Sequence, residues 1–327
     1  MKRRDFITLL GGAAAWPLTA RAQQLSLPVI GYLDAGSPEP NAPLLATFRK
    51  GLSEIGYVEG RNVAIEFRWA EGRSDRLSEL ADDLVRRRVT VIVTGDGTST
   101  ALLAKAATTT IPIVFMTGVD PVATGLVAAL NRPGGNVTGV THMNALLEPK
   151  RLALLHELAP RAVRFAALVP SVPILLSGST LIPDLQAAAA TIGGQIEFFR
   201  ATASREIDAA FAGMKERRAE AVVVSAGIVI DRRTQILTLA ARHGLPTIYS
   251  WRADVVAGGL MSYGIVITDQ FRQMGIYAGR LLKGEKPADL PVIRPTRFEF
   301  VINLQTARAL GIEVPPSLLS IADDVIE

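Results

Sequence analysis

The feature that most constrains this chain is that it writes one α/β plan twice. Arg87-Arg88-Val89-Thr90-Val91-Ile92-Val93-Thr94 is echoed by Arg217-Arg218-Ala219-Glu220-Ala221-Val222-Val223-Val224-Ser225, and Ile111-Pro112-Ile113-Val114-Phe115 by Leu245-Pro246-Thr247-Ile248-Tyr249. Ile65-Glu66-Phe67-Arg68 has its counterpart in Ile196-Glu197-Phe198-Phe199-Arg200, and Gly134-Gly135 in Gly258-Gly259. Each offset lies between about 124 and 135 residues and the order is kept. One such pair would be noise. Four in register indicate two copies of a domain, a repeat far longer than a solenoid unit. The 327 residues are enough for two domains of ordinary size, each with its own core.

Within each copy, short β-rich runs alternate with helical patterns, which predicts βαβ units and parallel sheets. Strands are expected at 29–33, 63–67, 89–93, 113–116 and 137–140, with a helix over 43–55. Ser74 is expected to cap a helix whose Leu77, Leu80, Ala81, Leu84 and Val85 form one apolar stripe. After the second copy come a helical stretch over 268–282, a proline-rich connector over 287–295, a strand over 298–302, and a short helix capped by Asn303 and ended by Gly311. These surplus elements predict that the chain crosses back to the first lobe and returns. The fold class is therefore two doubly wound parallel-sheet lobes joined by a three-crossover hinge. The expected boundaries are 28–142 plus 268–294 for lobe 1, and 143–264 plus 296–321 for lobe 2.

The first 22 residues read as an export leader. Lys2-Arg3-Arg4 form a basic head, Phe6 to Trp16 an apolar run too short to span a bilayer, and Ala20-Arg21-Ala22 a small-x-small cleavage pattern. Arg3-Arg4-Asp5-Phe6-Ile7 resembles a twin-arginine signal. Losing the leader removes four basic residues and one acidic residue, which brings the formal charge from +4 to +1. No basic patch for nucleic acid and no membrane span is expected in the remainder. With no cysteine, disulfides, thiolate metal sites and cysteine nucleophiles are excluded.

In open parallel sheets, ligands bind beyond the carboxyl ends of the strands. Function is therefore sought in the loops that follow them. In the first copy these supply Asp34, Ser37, Gly97, Thr98, Ser99, Thr117, Asp120 and Thr141; in the second they supply Ser171, Ser225, Trp251 and Tyr263. Thr98 and Ser99, just ahead of a helix, are suited to hold an anionic group. Asp120 is suited either to cap a helix or to meet a ligand ammonium, and Tyr32, Trp251 and Tyr263 to sandwich a planar group. The three histidines, His142, His156 and His243, fall at no metal-ligand spacing, and neither a nucleophile elbow nor a complete dinucleotide fingerprint is present. No catalytic residue, metal or cofactor is expected.

Several runs resemble a known family. Asp120-Pro121-Val122, Gly125-Leu126-Val127 and Leu130-Asn131-Arg132-Pro133-Gly134-Gly135-Asn136-Val137-Thr138-Gly139 are similar to the ABC-transporter substrate-binding proteins related to tryptophan- and aromatic-amino-acid-binding lipoproteins. So are Gly258-Gly259-Leu260-Met261-Ser262-Tyr263-Gly264, Lys283-Gly284-Glu285-Lys286-Pro287 and Phe298-Glu299-Phe300-Val301-Ile302-Asn303. The resemblance implies a type I periplasmic-binding-protein fold. It also implies capture of a small metabolite, an amino acid or related carboxylic acid, with an inner-membrane permease and a cytoplasmic ATPase as partners. Better-known members carry a lipobox cysteine; its absence here implies a protein free in the periplasm. An exported cofactor-using enzyme and a ligand-sensing domain that docks on a membrane receptor remain open alternatives. The leader makes its own prediction: exported protein begins at Gln23 on N-terminal sequencing, and replacing Arg3 and Arg4 together by lysine retains the uncleaved precursor in the cytoplasmic fraction.

Overall fold

The computed structural model of the protein describes residues 27–142, 144–171, 181–226 and 232–327. The expected leader lies outside these, as does the loop residue Gly227. The apolar runs of the first copy form β1 (Val29–Asp34), β2 (Ala64–Trp69), β3 (Val91–Thr94), β4 (Ile113–Thr117) and β5 (Val137–Thr141). They make one sheet in the order β2-β1-β3-β4-β5, parallel throughout. Every residue of β3, β4 and β5 is buried, as near-continuous Val/Ile runs require of strands covered on both faces.

Helices α1 (Pro38–Glu54), α2 (Leu77–Arg86) and α3 (Thr98–Ala107) belong to this lobe. The apolar stripe of α2 faces the core, with Leu77, Ala81 and Leu84 buried and Leu80 and Val85 packed beside them. Ser74 opens a short 3-10 turn ahead of α2 rather than capping it. Helix α1 begins five residues before the expected Pro43. Pro38 and Pro40 fall in the first turn, where N–H groups have no helical partner to lose, and Asn41 Nδ2 donates to the Ser37 carbonyl at 2.9 Å.

The second copy forms β6 (Arg164–Val169), β7 (Gln195–Arg200), β8 (Ala221–Val224), β9 (Thr247–Tyr249) and β10 (Met261–Ile265), extended by β11 (Phe298–Asn303) and β12 (Asp324–Ile326). The sheet runs β12-β11-β10-β9-β8-β6-β7. Read from β7 to β10, it has the strand order of the first lobe. Only β11 is antiparallel to its neighbour β10. The remaining helices are α4 (Glu148–Leu158), α5 (Leu181–Thr191), α6 (Ser204–Glu216), α7 (Arg233–His243), α8 (Arg252–Val256), α9 (Ile267–Leu282), α10 (Leu304–Ala309) and α11 (Pro316–Ile321). Asn303 caps α10 as its sequence predicts, its side chain accepting from the Thr306 N–H at 3.0 Å.

The chain passes between the sheets three times: from β5 into α4, from β10 into α9, and from residues 290–293 into β11. Helix α9 follows a second-sheet strand but packs on α1 and on the first sheet. Two glycines permit this approach. A Cβ on Gly51 would lie 2.0 Å from the Arg272 carbonyl oxygen, and one on Gly275 would lie 2.1 Å from the Phe48 carbonyl oxygen. Phe48, Leu52, Phe271, Met274 and Tyr277 fill the seam, and Arg272 is clamped on Glu54 at its end. The chain then lies along the outer edge of β5, where the Thr141 N–H donates to the Ile293 carbonyl at 2.8 Å and the Ile293 N–H to the Gly139 carbonyl at 3.0 Å. Because both glycine clashes are with backbone, no rotamer change relieves them. Gly275→Ala is expected to cost about 1–3 kcal/mol. In thermal unfolding its Tm should fall by several degrees, while Gly258→Ala at an open turn should act only through local strain.

A ligand cleft between the lobes

A cavity of about 680 Å³ lies between the two sheets. Its walls come from the carboxyl ends of parallel strands in both lobes: Asp34 at the end of β1, Gly95 and Asp96 after β3, Met116 and Gly118 at β4, His142 after β5, then Pro170 after β6, Ser225 after β8 and Trp251 after β9. This is where doubly wound sheets offer helix N-termini and free loop amides. Volume and position suit a small-molecule site.

On the lobe 1 side, the turn from β3 into α3 carries the chemistry. Gly97 has φ +138°, a conformation that side chains rarely allow, and sets the first amides of α3 at the cavity without a side-chain cap. Asp96 lines the cavity, with its side chain exposed to it. Its Oδ2 accepts from the Ala35 N–H at 3.0 Å and from the Thr100 hydroxyl at 2.6 Å. Desolvation by the surrounding walls nevertheless pushes its carboxyl up to about 6, outweighing those hydrogen bonds. Asp34, next to it, is buried and accepts from the Gly36 N–H at 2.8 Å.

Lobe 2 supplies Trp251 at the start of α8, Arg233 at the start of α7, and Arg252. Both arginines are engaged: Arg233 Nε donates to Asp254 at 2.6 Å, and Arg252 pairs with Asp324 and lies 3.8 Å from Glu299. Between the lobes, the His142 ring meets Trp251 edge-on, with centroids 5.5 Å apart and planes at 84°. Its Nδ1 accepts from the Asn144 N–H at 3.4 Å, which leaves Nε2 as the protonated nitrogen. Burial first, and the Arg151 charge second, push its pKa down to about 3, so the ring is neutral at any physiological pH.

Of the residues that the sequence singles out, Asp34, Gly97, Thr98, Ser99, Ser225 and Trp251 line the cavity. The other six sit elsewhere. Thr117 is fully buried and shares a 2.5 Å hydrogen bond with Thr98, and Thr141 donates to the carbonyls of Thr117 and Val119. Asp120 is exposed and accepts from the Val122 N–H at 2.8 Å, closing the turn that follows. The Ser37 carbonyl ties down Asn41, and Ser171 bonds to Thr202 and Glu206. Tyr263 stacks on Phe298, 6.4 Å between centroids, while Tyr32 is a core residue against Phe48, Phe67 and Trp69. Asp96, His142, Arg233 and Arg252 line the cleft and were not foreseen as ligand residues. Asp96 and His142 each fall within two residues of a strand end, the signal that marks them.

Two α/β lobes of matching strand order, hinged by three crossings around a cleft, define the type I periplasmic-binding-protein architecture. A family model described as ABC transporter substrate binding protein matches residues 44–326, and the chain belongs to that family. A tyrosine-binding protein from Clostridioides difficile (strain R20291) is 26% identical over 270 residues, 81% of this chain and 76% of that protein. The crystal structure of an ABC domain in complex with L-Trp from Streptococcus pneumonia is 29% identical with a TM-score of 0.83, over 92% of this chain and all of that one (100%). A conserved domain protein from Vibrio cholerae has the same fold, with a TM-score of 0.83 at 24% identity over 92% of this chain and 100% of its own. The His142 environment is directly testable. In an NMR titration its ring resonances should stay put from pH 8 to pH 5, and an inflection near the ordinary histidine value of about 6.5 would contradict a buried neutral ring.

Proposed function

We propose that the protein is the periplasmic, exported solute-binding component of an ABC importer. It holds a small amphipathic metabolite, an amino acid or related carboxylic acid, between its lobes, carries out no chemistry on it, and delivers it to an inner-membrane permease driven by a cytoplasmic ATPase. The observation that carries this reading is the cavity of about 680 Å³ walled by strand ends of both lobes. A ligand there touches both lobes only when they are closed, so binding and closure are one equilibrium. The relatives named for tyrosine and bound to L-Trp support the ligand class. The leader supports export, and among the described residues no helix is long and apolar enough to cross a membrane.

In this reading, the amides of Gly97, Thr98 and Ser99 take the anionic end of the ligand, reinforced by the positive end of α3. Trp251 and the neutral His142 ring form an aromatic wall. Thr117 and Thr141 hold the strand ends that carry those groups, and Asp34 orients the β1 turn. Ser37, Asp120, Ser171 and Tyr263 support the rim and hinge rather than the ligand.

The test is a panel of amino acids and aromatic carboxylates against the mature protein. A ligand at about 100 times its Kd stabilises the closed form by about 2.7 kcal/mol, a Tm rise of several degrees. X-ray scattering should show the radius of gyration shrinking on addition of the same compound. A panel with no shift in either measurement removes capture of this ligand class.

A further inference from the structure

We propose that Asp96 is the anchor for a ligand ammonium group, so that the site selects α-amino acids over the matching carboxylic acids that lack the amine. The proposal rests on the reading of the cleft as the capture site and adds which head group it takes.

The geometry begins with what Asp96 lacks. One carboxylate oxygen, Oδ2, is fixed by the Ala35 N–H and the Thr100 hydroxyl, which sets the orientation of the group. Among the described residues, no cationic side chain pairs with it. The arginines that line the cleft are on the other lobe and already have acidic partners, Arg233 with Asp254 and Arg252 near Glu299. Asp96 is thus an anion that opens on a ligand cavity, held in position, with no counter-charge of its own. Its neighbours make the deficit larger. On β1, the buried Tyr32 hydroxyl lies within electrostatic reach and supplies no positive charge. Across the cleft, His142 is neutral and both arginines are committed.

The second part of the geometry is spacing. In an α-amino acid the ammonium and carboxylate sit on one carbon, so their partners must be neighbours. The β3–α3 turn offers a carboxylate at Asp96 and free amides from Gly97 onward, an acceptor and its donors within four residues. The same turn therefore reads the complete head group, and the side chain of the ligand is directed to the wall that lobe 2 provides. Asp120, which the sequence offers for an ammonium, faces the solvent instead and is used up by the amides of its own turn.

A proton count follows. A carboxyl pushed up to about 6 is partly protonated in mildly acidic medium, whereas an ammonium partner requires it ionised. Amino-acid binding should therefore release about half a proton at pH 6 and almost none at pH 8, and the affinity should fall as pH drops below 6.

The experiment is calorimetry on the mature protein with four pairs of probes: L-tryptophan and indole-3-propionate, L-tyrosine and 3-(4-hydroxyphenyl)propionate, L-phenylalanine and 3-phenylpropionate, L-leucine and 4-methylpentanoate. Titrations at pH 6 and pH 8, in buffers of different ionisation enthalpy, give the proton release. At least one amino acid should bind about 10- to 100-fold more tightly than its amine-free partner, the worth of one charge-assisted contact. Asp96→Asn should remove that preference and the proton release, with circular dichroism and melting reporting whether it remains folded. Equal or tighter binding of the acids, binding confined to the acids, or wild-type binding of amino acids without proton release at pH 6 overturns the assignment and leaves the capture reading intact. If no probe of either class binds and scattering shows no closure, both fall together.

Discussion

The architecture depends on one close contact, the seam where α9 lies on α1. Helix α9 is covalently an extension of the second sheet, yet its apolar face completes the core of the first. Glycines at 51 and 275 let the two backbones approach to a distance that any side chain would forbid. The apolar surface buried there ties the end of the chain to its beginning. Without the seam the second copy would hang from the first by a single crossing, and the lobes would be beads on a string. With it, three strands of chain share one narrow hinge, the arrangement suited to hinge closure about a ligand.

The hinge has its own lock. Arg151 and Glu148, both completely buried on α4, form an ion pair at 2.9 Å. Arg151 also donates through Nε to the Tyr263 carbonyl at 2.7 Å and through Nη1 to the Asn144 carbonyl at 3.3 Å. One side chain thus ties the first crossing, residues 142–147, to the strand that begins the second. A buried charge pair is seldom a net stabiliser against an apolar pair of equal size, but losing one member is severe. The pair fits a joint that must keep one geometry. Its charge also reaches His142 and helps hold that ring neutral at the cleft.

Much of this was legible in the sequence, for a physical reason. Parallel strands covered on both faces must be apolar throughout, so β3 and β8 announced themselves, and repetition of the same runs announced the second lobe. The surplus strand at 298–303 and the proline-rich stretch ahead of it told of the return crossings. What could not be read was the aim of individual loop side chains. Periodicity ends where the strand ends, and whether Asp96 or Asp120 faces the cleft is decided by turn geometry. At Asp120 the following amides capture the carboxylate. At Asp96 the neighbouring β1 turn and Thr100 hold one oxygen and leave the group open to the cavity. The early start of α1 escaped for a related reason: Pro38 and Pro40 are harmless in its first turn, and Pro43, which reads as a helix start, lies inside the helix at its sixth residue.

The unequal electrostatics of the two walls then give closure its logic. The lobe 2 arginines among the described residues reach the cleft already paired with carboxylates and so add little net charge to that wall. Lobe 1 brings an uncompensated carboxylate beside uncapped helix amides. While the cleft is open, water screens Asp96 and the mismatch costs little. As the lobes approach, water leaves and the same charge becomes expensive unless it is protonated or met by a cation. On the proposed assignment an empty cleft resists full closure, and a ligand carrying the complementary head relieves that resistance as it binds. Selectivity for the head group and the coupling of binding to closure would in this way be two consequences of one unpaired charge.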